Sequence, residues 1–375
     1  TITGGWRSTE VRDALDLCLS CKGCKSDCPV GVDMATYKAE FLSHHYAGRL
    51  RPMAHYSMGW LPLLSQGACH APGIVNALTQ SPLAPLLKKA GGIAPERAIP
   101  TFAKQSFVSM WRARPAASRP GRAATRGPVL LWPDTFSNHV HPNVARSAVL
   151  VLEDAGFEVR VPTEPLCCGL TWVSTGQLTT AKRVLRRTLR VLREDVRAGI
   201  PVVGLEPSCT AMFRSDGPEL LGGDEDMRRL SQQTRTLAEL LTERAPDWTA
   251  PQLGVDAIIQ THCHQHAIMG VDADDQLMSK AGIRADRLAS GCCGLAGNFG
   301  FEAGHYEVSR AAGERVLLPR VRRADPGTAV LADGFSCRTQ IEQGDTGRTA
   351  IHLAELLASG LPARNPASRS APVQR

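Results

Sequence analysis

Residues 291–294 read Gly291-Cys292-Cys293-Gly294, and residues 167–169 read Cys167-Cys168-Gly169. A further cysteine follows each pair just after an apolar run. In the first copy it closes Glu206-Pro207-Ser208-Cys209, and in the second Asp333-Gly334-Phe335-Ser336-Cys337. Cys168 and Cys209 are 41 positions apart, and Cys293 and Cys337 are 44 apart. A pattern that recurs at this spacing is an internal duplication. Strands expected at 129–132, 157–161, 200–205, 257–260 and 328–332 alternate with helices at 143–154, at 179–197 and at one ending near 277–281. That alternation predicts a parallel α/β sheet. Both copies then bring cysteines to the C-terminal ends of strands, where open α/β sheets place ligands.

In the second copy Cys263, Cys292, Cys293 and Cys337 come from three loops. A vicinal pair makes a strained disulfide and a good double donor, so the four read as thiolate ligands of one centre, either an iron–sulfur cluster or a structural zinc. Cys263 sits inside His262-Cys263-His264-Gln265-His266. On a strand extension, alternation places His262, His264 and His266 on one face and Cys263 on the other. One histidine would serve as ligand, proton relay (His262 or His264) or donor to sulfur, and the plain alternative is a polar loop with satisfied rings. The first copy has only Cys167, Cys168 and Cys209, because the position matching Cys263 falls near Asp134. Asp134 or His139 is a conceivable extra ligand.

Upstream lies Cys18-Leu19-Ser20-Cys21-Lys22-Gly23-Cys24-Lys25-Ser26-Asp27-Cys28-Pro29. Its C-x2-C-x2-C-x3-C-P spacing is that of bacterial ferredoxin-type cubane [4Fe–4S] ligation. Zinc more often takes two separated C-x2-4-C pairs and fits four cysteines in one run poorly. Cys28 closes this cluster or belongs to one whose partner run lay further N-terminal. Helices expected at 8–18, capped by Ser8, and at 34–45, capped by Asp33, flank the loop. This is the pattern of an α-helical ferredoxin domain. Prolines between 51 and 113 predict short helices. There Trp60, Leu61, Leu63 and Leu64 read as core or as an interface with another domain, and isolated Cys69 as a small buried hydrophobe.

A length of 375 residues accommodates two or three domains. The boundaries read as 1–50 (cluster domain), 51–127 (Pro-rich connector and basic linker), 128–250 and 251–362 (the two repeats) and 363–375 (disordered tail). The chain begins at Thr1, as a fragment or a processed protein would. No signal peptide and no apolar run of membrane-spanning length is expected. Twelve cysteines in this pattern suit a reducing cytoplasm better than a disulfide framework. The net charge of +7 is concentrated in six basic residues between Lys104 and Arg126 and three in the tail. The remainder is slightly acidic. This distribution argues against nucleic-acid binding, which needs basic residues on an ordered face. It leaves room for weak attraction to an anionic membrane surface.

The two Cys-Cys-Gly elements, each with its later cysteine, resemble the cysteine-rich CCG domain. That domain occurs in the B component of heterodisulfide reductase, the glycolate oxidase iron–sulfur subunit and the third subunit of anaerobic glycerol-3-phosphate dehydrogenase. The stretches 18–34, His262-Cys263-His264-Gln265, 291–300 and 333–338 are most similar to fused FAD-binding, iron–sulfur dehydrogenases of D-2-hydroxyacids (the D-lactate, D-2-hydroxyglutarate and glycolate class). The resemblance implies a ferredoxin-type domain followed by two CCG domains. It also implies that Cys18, Cys21, Cys24 and Cys28 hold a [4Fe–4S] cluster, with FAD in a separate or missing domain. Electrons would pass from that flavin to a quinone or cytochrome, in the cytoplasm or on the inner membrane face. Two alternatives stand beside this reading: a heterodisulfide-reductase-B-like protein that itself reduces a disulfide or quinone, and a scaffold subunit with structural zinc. Met212 and Gln340 occupy the positions where non-cubane CCG centres carry a fifth thiolate.

Overall fold

The computed structural model describes residues 4–115 and 125–362. Part of the basic linker and all of the expected tail therefore lie outside the described residues. Among the described residues, seven strands form two parallel sheets. The first is ordered β2-β1-β3-β4, from β1 (Pro128–Trp132), β2 (Glu158–Arg160), β3 (Val202–Gly204) and β4 (Thr234–Arg235). The second is ordered β6-β5-β7, from β5 (Asp256–Ile259), β6 (Arg284–Arg287) and β7 (Ala329–Leu331). Every strand pairing in both sheets is parallel. β1 and β3 pair directly with Leu130 opposite Val202, as β5 and β7 do with Ala257 opposite Ala329. β4 and β6 have no apolar run; β6 reads Arg284-Ala285-Asp286-Arg287 at a sheet edge, which is why hydrophobic patterning passed them over.

Side-chain alternation sorts the strands into layers. Val129, Leu131, Ala257, Ile259 and Leu331 share one buried cluster with helices Pro142–Asp154, Leu237–Arg244, Asp272–Lys280 and Leu353–Ser359. Leu130, Trp132 and Val202 face the opposite way, onto helix Leu178–Arg197. Ile258 and Val330 likewise face Leu317, Val321 and Ile341. The two repeats therefore share a central layer. Their continuous core fixes the sheets relative to one another.

Both CCG glycines take up left-handed backbone, at φ +90° for Gly169 and +91° for Gly294, which costs an L side chain energy. The second is also sterically closed, since a Cβ there would lie 2.1 Å from the carbonyl of Ser309, whereas one at Gly169 finds 3.5 Å to Ala181 O. Gly294→Ala is expected to destabilise the fold by more than Gly169→Ala, the difference being about 1–3 kcal/mol of overpacking. Urea unfolding of the two variants measures this, and equal midpoints would contradict it.

The N-terminal helices are Thr9–Asp16, capped by Ser8, and Met34–His45, capped by Asp33. The segment read as basic linker is partly ordered: helix Phe107–Ala113 packs on the central core. Arg114 and Arg126 pair with Glu153 and Asp247. Their charge neutralises acids of the first repeat instead of standing free. No helix among the described residues is long and apolar enough to cross a membrane.

A candidate thiolate centre between the Cys18 loop and the second repeat

All twelve cysteines are free thiols. The strands deliver them as the duplication requires. Cys209 and Cys337 lie on helices Pro207–Ala211 and Phe335–Glu342, which start just past β3 and β7. The second repeat's set converges. Cys292 is within hydrogen-bonding reach of Cys263 and Cys293, and Cys293 of Cys337. A fifth thiol joins from the N-terminal loop, because Cys21 also reaches Cys292. The neighbouring Cys292 thiol pulls the Cys21 thiol down, against burial, and is itself held up. The contact joins two sets that the sequence presents as separate.

The loop is built to turn Cys21 inward. Ser20 and Lys22, on either side of it, both adopt left-handed backbone at φ 55° and 60°, a conformation costing roughly 1–2 kcal/mol per residue. Tertiary contacts offset this. His264 Nε2 lies 3.0 Å from the Ser20 carbonyl. Lys22 is buried, with its ammonium 2.7 Å from Asp33 and 2.9 Å from Asp216. Burial alone would lower the Lys22 pKa, but Asp216 and Asp33 outweigh it and raise it. Lys38 donates to the carbonyl of Cys18 at 2.7 Å. His305 Nε2 meets Asp16 at 2.9 Å, tying the preceding helix to the second repeat. Two other cysteines of the run lie under backbone N–H groups. Cys24 Sγ accepts the Met34 N–H at 3.4 Å, and Cys28 lies under the N–H groups of Val32, Val30 and Gly31, which lower its pKa.

The histidines depart from the expected alternation. β5 ends at Ile259, and the chain enters a helical turn that continues as the π-helical turn Gln265–Met269. His262 and His264 are consequently buried, while His266 is exposed beside Asp27 at 3.4 Å. His262 Nδ1 accepts the His264 N–H at 3.2 Å, so the neutral ring carries its proton on Nε2, 3.9 Å from Glu206 Oε1. Burial drives the His262 pKa down to about 3. Gly334 makes room for this ring, since a Cβ there would lie 2.2 Å from His262 Cδ2.

Glu206 is the residue that sequence reading left out of the site. It crosses from the first repeat to the second: its Oε2 accepts the Phe335 N–H at 2.8 Å, and its Oε1 accepts from Ser208 at 3.0 Å. The signal was its place after a strand, matching Asp333. Burial, helped by Asp134, raises its pKa from 4.5 to about 7. The native state therefore holds this proton between those values while the unfolded chain loses it. Stability present below pH 4.5 is lost as the pH rises toward 7, by about 3 kcal/mol at 1.36 kcal/mol per unit. Glu206→Gln is expected to flatten that part of the stability–pH profile. An unchanged slope in denaturant titrations across this range would refute the assignment.

In the first repeat Cys168 and Cys209 lie 3.0 Å apart, and Cys167 is close by. The two extra ligands entertained for it are committed elsewhere. Asp134 caps helix Thr135–His139, accepting from Phe136 N and Ser137 N. His139 Nδ1 lies 3.0 Å from Cys69 Sγ. Cys69 is thus a partly buried thiol with a specific partner, rather than a plain apolar filler.

These donors fit an iron–sulfur group better than a single ion. Tetrahedral zinc at about 2.3 Å holds its sulfurs about 3.8 Å apart. Among the described residues, Asp16, Glu302 and His305 form the only group of three or more Cys, His or carboxylate ligand atoms mutually within 4.8 Å. The thiols of the second repeat are thus gathered but not closed to single-ion spacing.

A cavity of about 630 Å³ opens beside this centre, its inner end formed by Cys21, Cys263, His262, His264, Glu206 and Asp216. Its outer wall is apolar and includes Leu61, Leu63 and Leu64. Leu63, Leu64 and Trp60 are exposed and form an outward-facing patch, so they are not core as one reading had it.

Residues 134–214, which span most of the first repeat and its three cysteines, match the cysteine-rich CCG domain. Beyond that domain, the chain is similar to dehydrogenases and dehydrogenase components. It is 27% identical to D-2-hydroxyglutarate dehydrogenase of Pseudomonas putida over 344 residues, 90% of this chain and 33% of that protein. It is 28% identical to the C component of anaerobic glycerol-3-phosphate dehydrogenase of Escherichia coli over 298 residues, 78% of this chain and 72% of that one. Lactate utilization protein A of Bacillus velezensis is 26% identical over 236 residues, covering 58% and 93% respectively. The chain spans about a third of the length of the D-2-hydroxyglutarate dehydrogenases it matches.

Proposed function

We propose that this chain is the iron–sulfur electron-transfer portion of a flavin-linked D-2-hydroxyacid dehydrogenase. Residues 1–50 serve as an α-helical ferredoxin-type unit, with CCG repeats at 128–250 and 251–362. A separate flavin-binding domain or subunit oxidises the hydroxyacid, and the electrons leave through the thiolate-held iron–sulfur group to an acceptor. Cys18, Cys21, Cys24 and Cys28 hold a [4Fe–4S] cluster. Cys263, Cys292, Cys293 and Cys337 supply the donors of a second centre. What supports the reading is that the Cys21 loop packs on the second repeat, with His264 Nε2 3.0 Å from the Ser20 carbonyl and Cys21 and Cys263 lining one cavity. The chain's own residues do the positioning: Lys22 and His264 fix the loop, while burial excludes water.

The test is reduction of anaerobically purified chain by photoreduced FAD. The reading expects the visible iron–sulfur absorption to bleach as the flavin is reoxidised. Protein that carries iron and labile sulfide but stays oxidised under these conditions would overturn it.

A further inference from the structure

Arg97 is a cation buried without an acid to answer it. The residue has no solvent exposure, and among the described residues its polar contacts are neutral. Nε donates to the Gly300 carbonyl at 2.8 Å, Nη2 donates to Ser309 Oγ at 2.7 Å, and the guanidinium lies over the Tyr306 ring at 5.0 Å. Nη1 is buried without a hydrogen-bond partner. The neighbouring acid, Glu96, is exposed. Nearby Arg310 adds a second positive charge, but it pairs with Glu314 and Asp345. Arginine keeps its proton in proteins, and a buried charge left uncompensated is strongly destabilising. Folding nevertheless brings Arg97 here from the connector, where the Ala94 N–H donates to Phe301 O at 2.7 Å and Ile93 bridges to Glu302.

Behind its acceptors lies the turn that follows Cys293. The Gly300 N–H donates to Leu295 O at 2.8 Å. The Ser309 carbonyl is the atom that a Cβ at Gly294 would strike. The same carbonyl accepts from Gln340 Nε2 at 3.0 Å, on the helix that carries Cys337. Both hydrogen-bond partners of the guanidinium therefore rest on the frame that presents Cys293. Burial pushes the Arg97 pKa down, and Tyr306 and Cys293 are among the groups whose charge opposes this. The negative charge that answers Arg97 is thus on the thiolate side. An iron–sulfur group gains one more negative charge on reduction, and its net charge and surroundings set its potential. A fixed positive charge in a low-dielectric interior favours the reduced form.

We propose that Arg97 is the counter-charge of the centre held by Cys263, Cys292, Cys293 and Cys337, and that it raises the reduction potential of that centre. This rests on the iron–sulfur reading above. Arg97 acts through space and is not a ligand.

The experiment is a redox titration of the full chain, purified anaerobically and followed by electron paramagnetic resonance. Arg97→Gln removes the charge, and Arg97→Lys keeps it. Arg97→Gln is expected to lower the midpoint potential of the centre whose signal Cys337→Ala removes. The shift should equal roughly a tenfold or larger change in the reduction equilibrium, about 59 mV for one electron. Arg97→Lys should stay close to the parent. A second pair leaves Arg97 in place and answers the question if Arg97→Gln does not fold. Tyr306 is partly exposed at the first position of helix Tyr306–Glu314, where an acid is well tolerated. Tyr306→Glu sets an acid against the guanidinium and should lower the same potential relative to its uncharged isostere, Tyr306→Gln. A clamp that only pins the connector would cost stability on removal and leave the potential unmoved. Parent-like potentials in iron-loaded Arg97→Gln, or equal potentials in Tyr306→Glu and Tyr306→Gln, would overturn the proposal. Either result in protein that still bleaches with photoreduced FAD leaves the electron-transfer reading standing. Shifted potentials in protein that the flavin fails to reduce remove that reading and keep the counter-charge. Zinc in place of iron removes both.

Discussion

Cys292→Ala is expected to lower the iron and acid-labile sulfide of the anaerobically purified chain and to change the spectrum of whatever cluster remains. Cys292 is the thiol on which the others meet, within reach of Cys21, Cys263 and Cys293. Removing it withdraws a ligand from the second repeat and, at the same time, the group that holds the Cys21 thiol down. Were the run and the second repeat independent, the spectrum of the run's cluster would survive intact. The control is Cys69→Ala, whose thiol meets His139 outside both sets; its iron content should match the parent chain. Equal iron in Cys292→Ala and Cys69→Ala, with identical electron paramagnetic resonance spectra after reduction, would contradict a joined centre.

Lys22→Met is expected to be among the most damaging substitutions outside the cysteines. The ammonium of Lys22 sits between Asp33 and Asp216 with almost no solvent exposure. Methionine preserves the length of the side chain but leaves buried Asp216 without its cation and Asp33, half-buried, with only Lys25 at 3.4 Å. Removing one member of a buried ionic set costs about 3–5 kcal/mol because the remaining charge is uncompensated. Asp33 feels the loss most directly. Burial would raise its pKa, but the Lys22 hydrogen bond and charge hold it down at about 2. Stability tied to Asp33 is therefore present above its unfolded value, near 3.8, and is lost as the pH falls toward 2. In Lys22→Met that acid-side loss should shrink or disappear, because Asp33 loses the partner that holds its pKa below the unfolded value. Thermal unfolding at neutral pH and at pH 3 measures both effects. A variant as stable as the parent at both values would show that the triad does not secure the loop. The same loop carries Cys21, so iron content should fall with stability.

The sequence made the architecture legible where its signals were local. The duplicated Cys-Cys-Gly turns need a left-handed residue, and both glycines adopt that backbone. Ser8 and Asp33 cap the helices they were expected to cap. The apolar runs at 129–132 and 257–260 became central strands because each alternates its side chains into two buried layers. What escaped was long-range or polar. The edge strands β4 and β6 are held by neighbouring backbone and need no apolar run. The histidine segment was expected to continue a strand, yet it coils into a helical turn that buries His262 and His264 and exposes His266. Nothing in the local pattern connects Cys21 to Cys292, 271 positions away, or Glu206 to Phe335. Those contacts follow from packing the two repeats through one core, a property of the whole chain.

The central claim is that these cysteines hold iron and inorganic sulfide. Paired determination of iron, zinc and acid-labile sulfide in the anaerobically purified chain tests it most directly. The account predicts iron and labile sulfide in near-equal amounts, with at least one [4Fe–4S] cluster per chain and little zinc. Stoichiometric zinc with no labile sulfide would contradict it and make the cysteines a structural scaffold.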